Sequence, residues 1–115
     1  MSFTIFNNPR CSKSRKTLNL LKESGIDPEI RLYLHQPPTP EELAEVIKKL
    51  KIDSEDLIRK GESVYKDITK NKKNFNPDQL LKIMSENPIL IERPIVIHRD
   101  KAIIGRPPEN VLELI

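Results

Sequence analysis

The stretch FTIFNNPRCSKSRKTLNLLKESG, residues 3–25, contains the signals for the first elements of the fold. Its first residues have the composition of a strand, and the Asn-Asn-Pro sequence that follows is a turn signal. After Ser12, the apolar residues fit one face of a helix: Leu18, Leu20 and Leu21. Gly25 suits the position that follows a helix end near Ser24. The stretch therefore predicts a strand, a loop and a helix, and the loop holds Cys11, the only cysteine.

The segments that follow predict a second strand and a helical region. EIRLYL, residues 29–34, alternates apolar and polar residues and predicts a strand parallel to the first, across a right-handed crossover. Three N-cap signals then indicate helices between residues 40 and 86: Thr39 with Glu42, Asp53 before SEDLIRK, and Asn76 before Pro77. Gly61 is expected to stop the short helix that Asp53 begins.

The C-terminal segments complete the predicted sheet. RPIVIH at 93–98 and KAIIG at 101–105 predict a hairpin, although Arg-Asp is not a favoured pair for its tight turn. RPPENVLELI predicts a final helix that begins at Pro107 or Pro108. This order of elements favours an α/β fold, with one mixed four-stranded sheet and helices on its faces.

The composition excludes several classes of protein. The chain has 115 residues with a net charge of +3, and its 20 basic and 17 acidic residues alternate, so we expect no nucleic-acid partner. The densest basic run, KNKKN at 70–74, is typical of a solvated loop. One cysteine and two isolated histidines, His35 and His98, argue against a disulfide framework or a metal site. We find no signal peptide or membrane span, so the expected compartment is a reducing cytoplasm.

The position of Cys11 indicates a reactive thiol. A residue between a strand and a helix lies at the first turn of that helix, where unpaired amides stabilise an anion and lower a thiol pKa. Arg10, Lys13 and Arg15 add positive potential, and two hydroxyls are candidate donors to the sulfur or to an oxyanion: Ser12 and Ser14. A buried apolar cysteine is the competing interpretation.

Two known types of cysteine site fail on spacing. A protein-phosphatase loop requires an arginine six residues after the cysteine, and Thr17 stands there. A thioredoxin-type redox site requires Cys-x-x-Cys, and Ser14 occupies the second position. Any redox chemistry at Cys11 therefore needs a thiol from another molecule.

Three arginines lie in surroundings unlike those of the other charged residues. Arg59 ends the predicted short helix, Arg93 precedes Pro94 at the start of the third strand, and Arg106 follows the fourth strand. In an antiparallel hairpin, Arg93 and Arg106 come to the same end of the sheet. Guanidinium groups bind tetrahedral oxyanions in a bidentate manner, but the residue pattern alone does not group these three.

Four segments together resemble the glutaredoxin-coupled arsenate reductase family, and its short arsenate-reductase-like members in particular: NNPRCSKSRKTLNLLKESG, LIRK, NPILIERPIVI and IGRPPENVLELI. The resemblance runs from residue 3 to the end of the chain. It implies a single domain over residues 1–115, with a thioredoxin-like core of 1–35 and 87–115 and a helical insertion at 36–86. It also implies a cis peptide bond before Pro94, next to the cysteine loop.

The resemblance also implies a reaction. Cys11 is then the nucleophile, and Arg59, Arg93 and Arg106 hold arsenate, or a similar small oxyanion, and the later intermediates. Glutathione is implied as co-substrate and glutaredoxin as partner, with no bound cofactor. The implied reaction reduces arsenate and releases arsenite.

Asn7 departs from the family pattern, which commonly has His at this position, whereas Asn8 matches it. Because Asn7 carries no charge, either Arg10 compensates for it or Cys11 is less acidic. Two alternatives stay open: a related thiol enzyme acting on another oxyanion or a glutathione mixed disulfide, and an Spx-type regulatory binder. Such regulators typically carry Cys-x-x-Cys and lack the three arginines, so Ser14 argues against the second.

Overall fold

The computed structural model describes residues 2–71 and 74–115. Four strands form one sheet in the order β2-β1-β3-β4, with the bounds β1 Phe3–Phe6, β2 Glu29–Arg31, β3 Ile95–His98 and β4 Lys101–Ile104. Strand β1 is parallel to β2 and antiparallel to β3, and β3 is antiparallel to β4. The predicted α/β fold with a mixed four-stranded sheet is confirmed. Two lysines of the basic run at 70–74 lie outside the described residues, so the predicted solvated loop stays a prediction.

The described residues also form five α-helices: α1 Ser12–Glu23, α2 Pro40–Leu50, α3 Ser54–Leu57, α4 Ser63–Ile68 and α5 Pro77–Glu86. Two 3₁₀ helices lie at Pro88–Leu90 and Pro108–Leu114. The final helix is therefore not the α-helix that the sequence predicts, although it begins at one of the predicted prolines. Helix α4 lies within the predicted helical region 40–86, but none of the three N-cap signals marks its start.

The chain divides into two compact units. The first unit comprises Met1–Gln36 and Arg93–Ile115, and the second unit comprises Pro37–Glu92. Residues 87–92, which the resemblance assigns to the thioredoxin-like core, belong to the second unit. They do so because the amide of Glu92 donates to the carbonyl of Leu57 at 2.9 Å, on one side of an antiparallel bridge between Ile58 and Ile91.

The core of the first unit lies between the sheet and its helices. Its buried cluster comprises Phe3, Ile5, Leu21, Val96 and Val111. Phe3 and Ile5 stand on either side of Thr4 in β1 and so share one face of the sheet, Val96 comes from β3, and α1 and the final 3₁₀ helix supply the other two side chains. Burial of such aliphatic side chains contributes about 1.5–3 kcal/mol each.

The buried face of helix α1 includes two polar residues that the predicted apolar face does not name. Its buried residues are Ser14, Thr17 and Leu21, whereas Leu18 and Leu20 are only partly buried. Small polar side chains face inward because the backbone at Gly105 passes very close to Thr17. The ends of the helix agree with the prediction, since Cys11 is the N-cap and Ser24 the C-cap. Gly25 follows with φ +79°, a conformation that glycine adopts without strain.

Strand β2 is shorter than the sequence predicts. It ends at Arg31, and residues 32–35 form a turn instead of continuing to residue 34. The amides of His35 and Gln36 both donate to the carbonyl of Leu32, at 3.0 and 2.9 Å, which closes that turn. Tyr33 is fully buried there, so its apolar character reflects burial in a turn and not pairing in a strand.

The second unit follows the capping signals of the sequence. Reciprocal capping boxes begin α2 at Thr39 with Glu42, α3 at Asp53 with Asp56, and α5 at Asn76 with Gln79. Helix α3 ends at Leu57, earlier than predicted, because Ile58 enters the bridge with Ile91. Arg59 therefore follows a short β-bridge and does not end a helix.

The turn of the hairpin directly follows His98, one of the two histidines. His98 pairs with Lys101, so β3 and β4 are joined by the predicted two-residue turn, in which Arg99 has φ 59°. His98 also stacks on Phe3 with ring centroids 3.9 Å apart, while His35 is exposed. Within residues 2–71 and 74–115 no cluster of His, Cys, Asp and Glu could hold a metal ion. Every helix of that part of the chain is too short or too polar to cross a membrane.

Candidate active site

Cys11 lies at the mouth of helix α1, where the sequence places it. Its extended backbone (φ −91°, ψ 123°) makes it the N-cap residue. Its amide donates to the carbonyl of Asn8 at 2.9 Å, and its carbonyl accepts from the amide of Arg15 at 3.1 Å. The loop thus directs the chain from β1 into the helix, with the thiol beside the first-turn amides.

The surroundings of the sulfur make the thiol acidic. Partial burial raises the pKa of Cys11, but four hydrogen bonds outweigh it: from the backbone N–H of Ser14, the guanidinium of Arg93, the backbone N–H of Lys13 and the hydroxyl of Ser14. Together they lower the pKa of Cys11 to about 7, compared with about 8.5 for an ordinary cysteine. A large fraction of the sulfur is therefore thiolate near neutral pH.

The sheet brings two of the predicted arginines to this sulfur. Phe6 at the end of β1 pairs with Ile95 at the start of β3, and Ile95 pairs with Ile104 at the end of β4. Because these ends meet at one edge of the sheet, the residues next to them converge there. Arg106 Nε donates to the carbonyl of Arg93 at 2.7 Å, and Arg106 Nη2 lies 3.8 Å from Cys11 Sγ.

Arg93 has hydrogen-bond donors without a partner next to the sulfur. Its guanidinium hydrogen-bonds to Cys11, yet its Nε and Nη1 are buried and have no hydrogen-bond partner in the structure. A buried N–H group without an acceptor costs about 1–3 kcal/mol. Arg93 has two such donor nitrogens beside the thiolate, and the oxygens of a bound oxyanion would accept hydrogen bonds from them.

The peptide bond between Arg93 and Pro94 is cis, as the resemblance implies, and the bond between Arg106 and Pro107 is cis as well. Between these two points, the amide of Gly105 donates to the carbonyl of Pro94 at 2.9 Å. A Cβ atom at Gly105 would lie 2.5 Å from Thr17 Oγ1 and 2.8 Å from Pro94 Cγ. Only glycine therefore allows this close approach of the arginine-bearing segments to helix α1.

The remaining loop residues hold the loop in shape. Asn8 is buried and uses its amide and its side chain, since its N–H donates to Ser14 Oγ at 3.4 Å and its Oδ1 accepts from the amide of Arg10 at 3.1 Å. Arg15 Nη1 donates to the carbonyl of Pro9 at 2.9 Å. Thus Asn8 and Arg15 are loop-supporting residues.

Three other predicted site residues are less engaged with the sulfur. Ser12 and Arg10 are exposed, and neither is among the groups that lower the pKa of Cys11. Asn7 is buried, its amide donates to the carbonyl of Arg31 at 2.9 Å, and its Oδ1 has no donor. Of the two serines, Ser14 is the one that contacts the sulfur.

Arg59 lies in the second unit, where a short β-bridge and two carboxylates surround it. Its amide donates to the carbonyl of Leu90 at 2.7 Å. Its Nε forms ion pairs with Glu92 at 3.5 Å and with Glu62 at 3.8 Å. Its Nη1 is buried without a hydrogen-bond partner.

Comparison with known proteins identifies the family. The ArsC family model matches residues 6–114. The chain belongs to the ArsC family. It is 47% identical over 112 residues to "Uncharacterized protein YfgD" of Escherichia coli, which covers 96% of this chain and 94% of that protein. It is 47% identical over 116 residues, covering 100% of both chains, to a Haemophilus influenzae protein named "Arsenate reductase".

The fold of this ArsC-family protein also matches a solved structure. "Arsenate reductase from Vibrio cholerae" superposes with a TM-score of 0.95 at 42% identity, over 100% of this chain and 98% of that one. The resemblance read from the sequence is thereby confirmed, and so is the thioredoxin-like class of the fold.

Sequence reasoning missed several contributors to the site of this ArsC-family protein. The backbone N–H of Lys13 binds the sulfur, although only the charge of Lys13 is evident from the sequence. Gly105 directly precedes Arg106, and a glycine between a strand and an arginine was a signal for close backbone approach. No local pattern indicates Glu92 as a partner of Arg59, because the two residues are far apart in the chain.

Proposed function

We propose that this protein reduces arsenate to arsenite, with the Cys11 thiolate as nucleophile and with glutathione and glutaredoxin supplying the electrons. The observation that carries the proposal is the pair of buried, unpartnered N–H groups of Arg93 beside an acidic thiol. They offer a permanent positive charge where an oxyanion must approach an anionic sulfur. The family and the relatives named arsenate reductase support the choice of oxyanion.

The first step joins sulfur to arsenic. Arsenate is a dianion near neutral pH, so cationic donors must offset its charge before a thiolate can attack. Arg93 and Arg106 stand at the sulfur, and we propose Arg59 as the third ligand of the oxyanion, as the resemblance implies. The thiolate forms an S–As bond and an oxygen leaves as hydroxide, which takes a proton to become water.

The second thiol must come from outside the chain, since Cys11 is the only cysteine. Glutathione adds to the arsenic of the adduct and displaces a second oxygen as water. A glutaredoxin thiol then attacks the glutathione sulfur, which gives a disulfide between the two and leaves the electron pair on arsenic. Arsenic(V) thus becomes arsenic(III), and hydrolysis of the remaining S–As bond releases arsenite and the free Cys11 thiol.

A coupled assay tests this proposal. NADPH oxidation is followed with glutathione, glutathione reductase and glutaredoxin, with and without arsenate. We expect an arsenate-dependent rate that Cys11→Ser abolishes while its thermal unfolding stays close to that of the parent protein. An arsenate-dependent rate no greater than that of Cys11→Ser would reject arsenate as the substrate. Arsenate-independent reduction of a glutathione mixed disulfide would instead support the related thiol-enzyme function. A reducing cytoplasm, which keeps a single thiol free, is the compartment we propose.

A further inference from the structure

A small pocket lies beside the cysteine loop, entirely within the first unit. The loop residues 7–10 form one wall, and the turn after β2 forms the other through Leu32, Leu34 and His35. The volume of the pocket is about 260 Å³, close to the lower end of the range of small-molecule sites, which begins at about 300 Å³. None of the residues that line it is acidic. The pocket can therefore take part of a small peptide, and its walls carry no negative charge.

Backbone hydrogen bonds hold the two walls in place. The amide of Asn7 donates to the carbonyl of Arg31 at 2.9 Å, which joins the loop to the end of β2. The amide of His35 donates to the carbonyl of Leu32 at 3.0 Å, which closes the turn. The pocket is therefore formed by the fold itself and needs no occupant to shape it.

The lining combines apolar surface with polar groups of different character. Leu32, which is 38% exposed, and Leu34 supply the apolar part. Arg10 is exposed and brings a permanent positive charge, and the His35 side chain is exposed on the opposite wall. Asn7 is buried, and its Oδ1 accepts no hydrogen bond within the described residues. This combination suits a ligand that has carboxylates for the cation, N–H groups for the amide oxygen and a short aliphatic part.

The pocket shares its loop wall with the nucleophile. Arg10 directly precedes Cys11, and the carbonyl of Asn8 accepts from the amide of Cys11 at 2.9 Å. Neighbouring Cα atoms are about 3.8 Å apart, and three extended residues span about 10 Å. A tripeptide held in the pocket can therefore bring a central thiol within reach of Cys11. Such an external thiol is required because Cys11 is the only cysteine.

We propose that this pocket is the binding site of glutathione, the thiol that resolves the Cys11 adduct. The inference rests on the proposed function, in which glutathione supplies the second sulfur. Glutathione is a tripeptide with a carboxylate at each end, an ammonium group and peptide N–H groups. A carboxylate pairs with the Arg10 guanidinium, and an N–H group donates to Asn7 Oδ1. The methylene groups of the ligand pack against Leu32 and Leu34.

The thioether S-methylglutathione tests the site without chemistry, because it cannot add to arsenic or exchange with a disulfide. It is titrated into the full-length parent protein, and the backbone amide chemical shifts are followed by NMR. We expect saturable shifts that are largest in the two walls, at Asn7, Asn8, Leu34 and His35. The uncharged thioether 2-(methylthio)ethanol should bind at least about tenfold more weakly, since it offers Arg10 no carboxylate.

One pair of variants adds a carboxylate inside or outside the pocket. Leu32 lines the pocket, whereas Ile30 is 44% exposed on β2 and is not part of the lining. Leu32→Glu should weaken the binding of S-methylglutathione about tenfold, because it places a negative charge beside the carboxylates of the ligand. Ile30→Glu should bind like the parent protein. Both substitutions replace an exposed side chain, and thermal unfolding checks that both variants are folded.

A second pair of variants removes one positive charge. Arg10→Gln should weaken the binding of S-methylglutathione about three- to fivefold, the scale of an exposed ion pair. Lys101→Gln is the control, since Lys101 is exposed and pairs with His98 at the end of the sheet opposite to the cysteine loop. In the coupled assay, kcat/KM for glutathione should fall by the same factors in Leu32→Glu and in Arg10→Gln.

Several results would overturn the inference: no saturable shifts, shifts centred outside the two walls, equal affinity for the charged and the uncharged thioether, or equal losses in a pocket variant and its control. Failure of the proposed function gives a different result. In that case arsenate supports no turnover, yet S-methylglutathione binds in the pocket and both pocket variants weaken that binding, which would support a glutathione site on its own.

Discussion

In the first unit, the guanidinium groups of Arg93 and Arg106 contact a carbonyl and the Cys11 sulfur. In the second unit, Arg59 is ion-paired with two carboxylates, Glu62 and Glu92. The arginines of the two units therefore have different surroundings and different roles. Beside the sulfur, the Arg93 guanidinium joins the backbone N–H of Ser14 in lowering the pKa of Cys11, whereas beside the carboxylates the charge of Arg59 is partly balanced. Substitutions in each unit test this contrast.

The largest expected effect comes from Arg93→Ala. Loss of its donors should lower kcat/KM for arsenate by about 100-fold, the scale seen when one preorganised donor is removed from an oxyanion site. It should also raise the pKa of Cys11, because Arg93 hydrogen-bonds to the sulfur. The pH dependence of iodoacetamide alkylation measures this pKa. Arg59→Ala should lower activity without changing that pKa, and an equal rise in both variants would remove the contrast between the arginines.

The next effect concerns the glycines near the arginines of each unit. Gly105→Ala places a Cβ atom 2.5 Å from Thr17 Oγ1 and 2.8 Å from Pro94 Cγ. We expect it to lower the free energy of unfolding by about 1–3 kcal/mol, as overpacking does. The matched control is Gly61→Ala, two residues after Arg59, where a Cβ atom meets nothing within 4 Å. Urea unfolding of both variants measures the difference, and similar midpoints would show that the close approach at Gly105 is not required.

A smaller effect is expected at the serines of the cysteine loop. Alkylation of Cys11 in the parent protein should rise with pH through a midpoint of about 7. Ser14→Ala removes a hydroxyl donor to the sulfur and should raise that midpoint, because the thiolate loses a stabilising hydrogen bond. Ser12→Ala is the control, since Ser12 is exposed and takes no part in lowering the pKa. A midpoint near the ordinary value of about 8.5 in the parent protein would contradict activation by the helix mouth.

The smallest effect is a dependence of stability on pH. The pKa of Cys11 is lower in the folded protein than in the unfolded chain, so between about 7 and about 8.5 the unfolded state binds more protons. This stabilisation is therefore fully present above about 8.5 and is lost as the pH falls through about 7. In urea unfolding under reducing conditions, the free energy of unfolding of the parent protein relative to that of Cys11→Ser should be higher at pH about 9 than at pH about 6. A difference independent of pH would exclude this coupling.

Much of the structure is encoded in local signals. The capping residues Thr39, Asp53 and Asn76 begin their helices where predicted, because an N-cap bonds only to residues two or three positions away. Cys11 was placed at the mouth of α1 by the same local logic, from a turn signal before it and a helical pattern after it. The convergence of Arg93 and Arg106 followed from the geometry of an antiparallel hairpin.

The features that were missed depend on contacts between distant parts of the chain. Helix α3 ends early because Ile58 pairs with Ile91. The residues near Ile58 in the sequence do not indicate this pairing. The same pairing sets the surroundings of Arg59, which the sequence placed at the end of a helix. Thr17 is fully buried because the Gly105 backbone passes over it, whereas a helical pattern drawn from apolar residues alone assigns that face to leucines.

The groups that lower the pKa of Cys11 are backbone amides, one hydroxyl and one guanidinium. Backbone amides and hydroxyls are not ionised near neutral pH, and guanidinium groups are permanent cations in proteins. A histidine that stabilised the thiolate would lose its positive charge, and with it that stabilisation, as the pH rises. The groups that stabilise the Cys11 thiolate therefore keep their charge state as the pH changes. Acidification inactivates the nucleophile by protonating the sulfur itself.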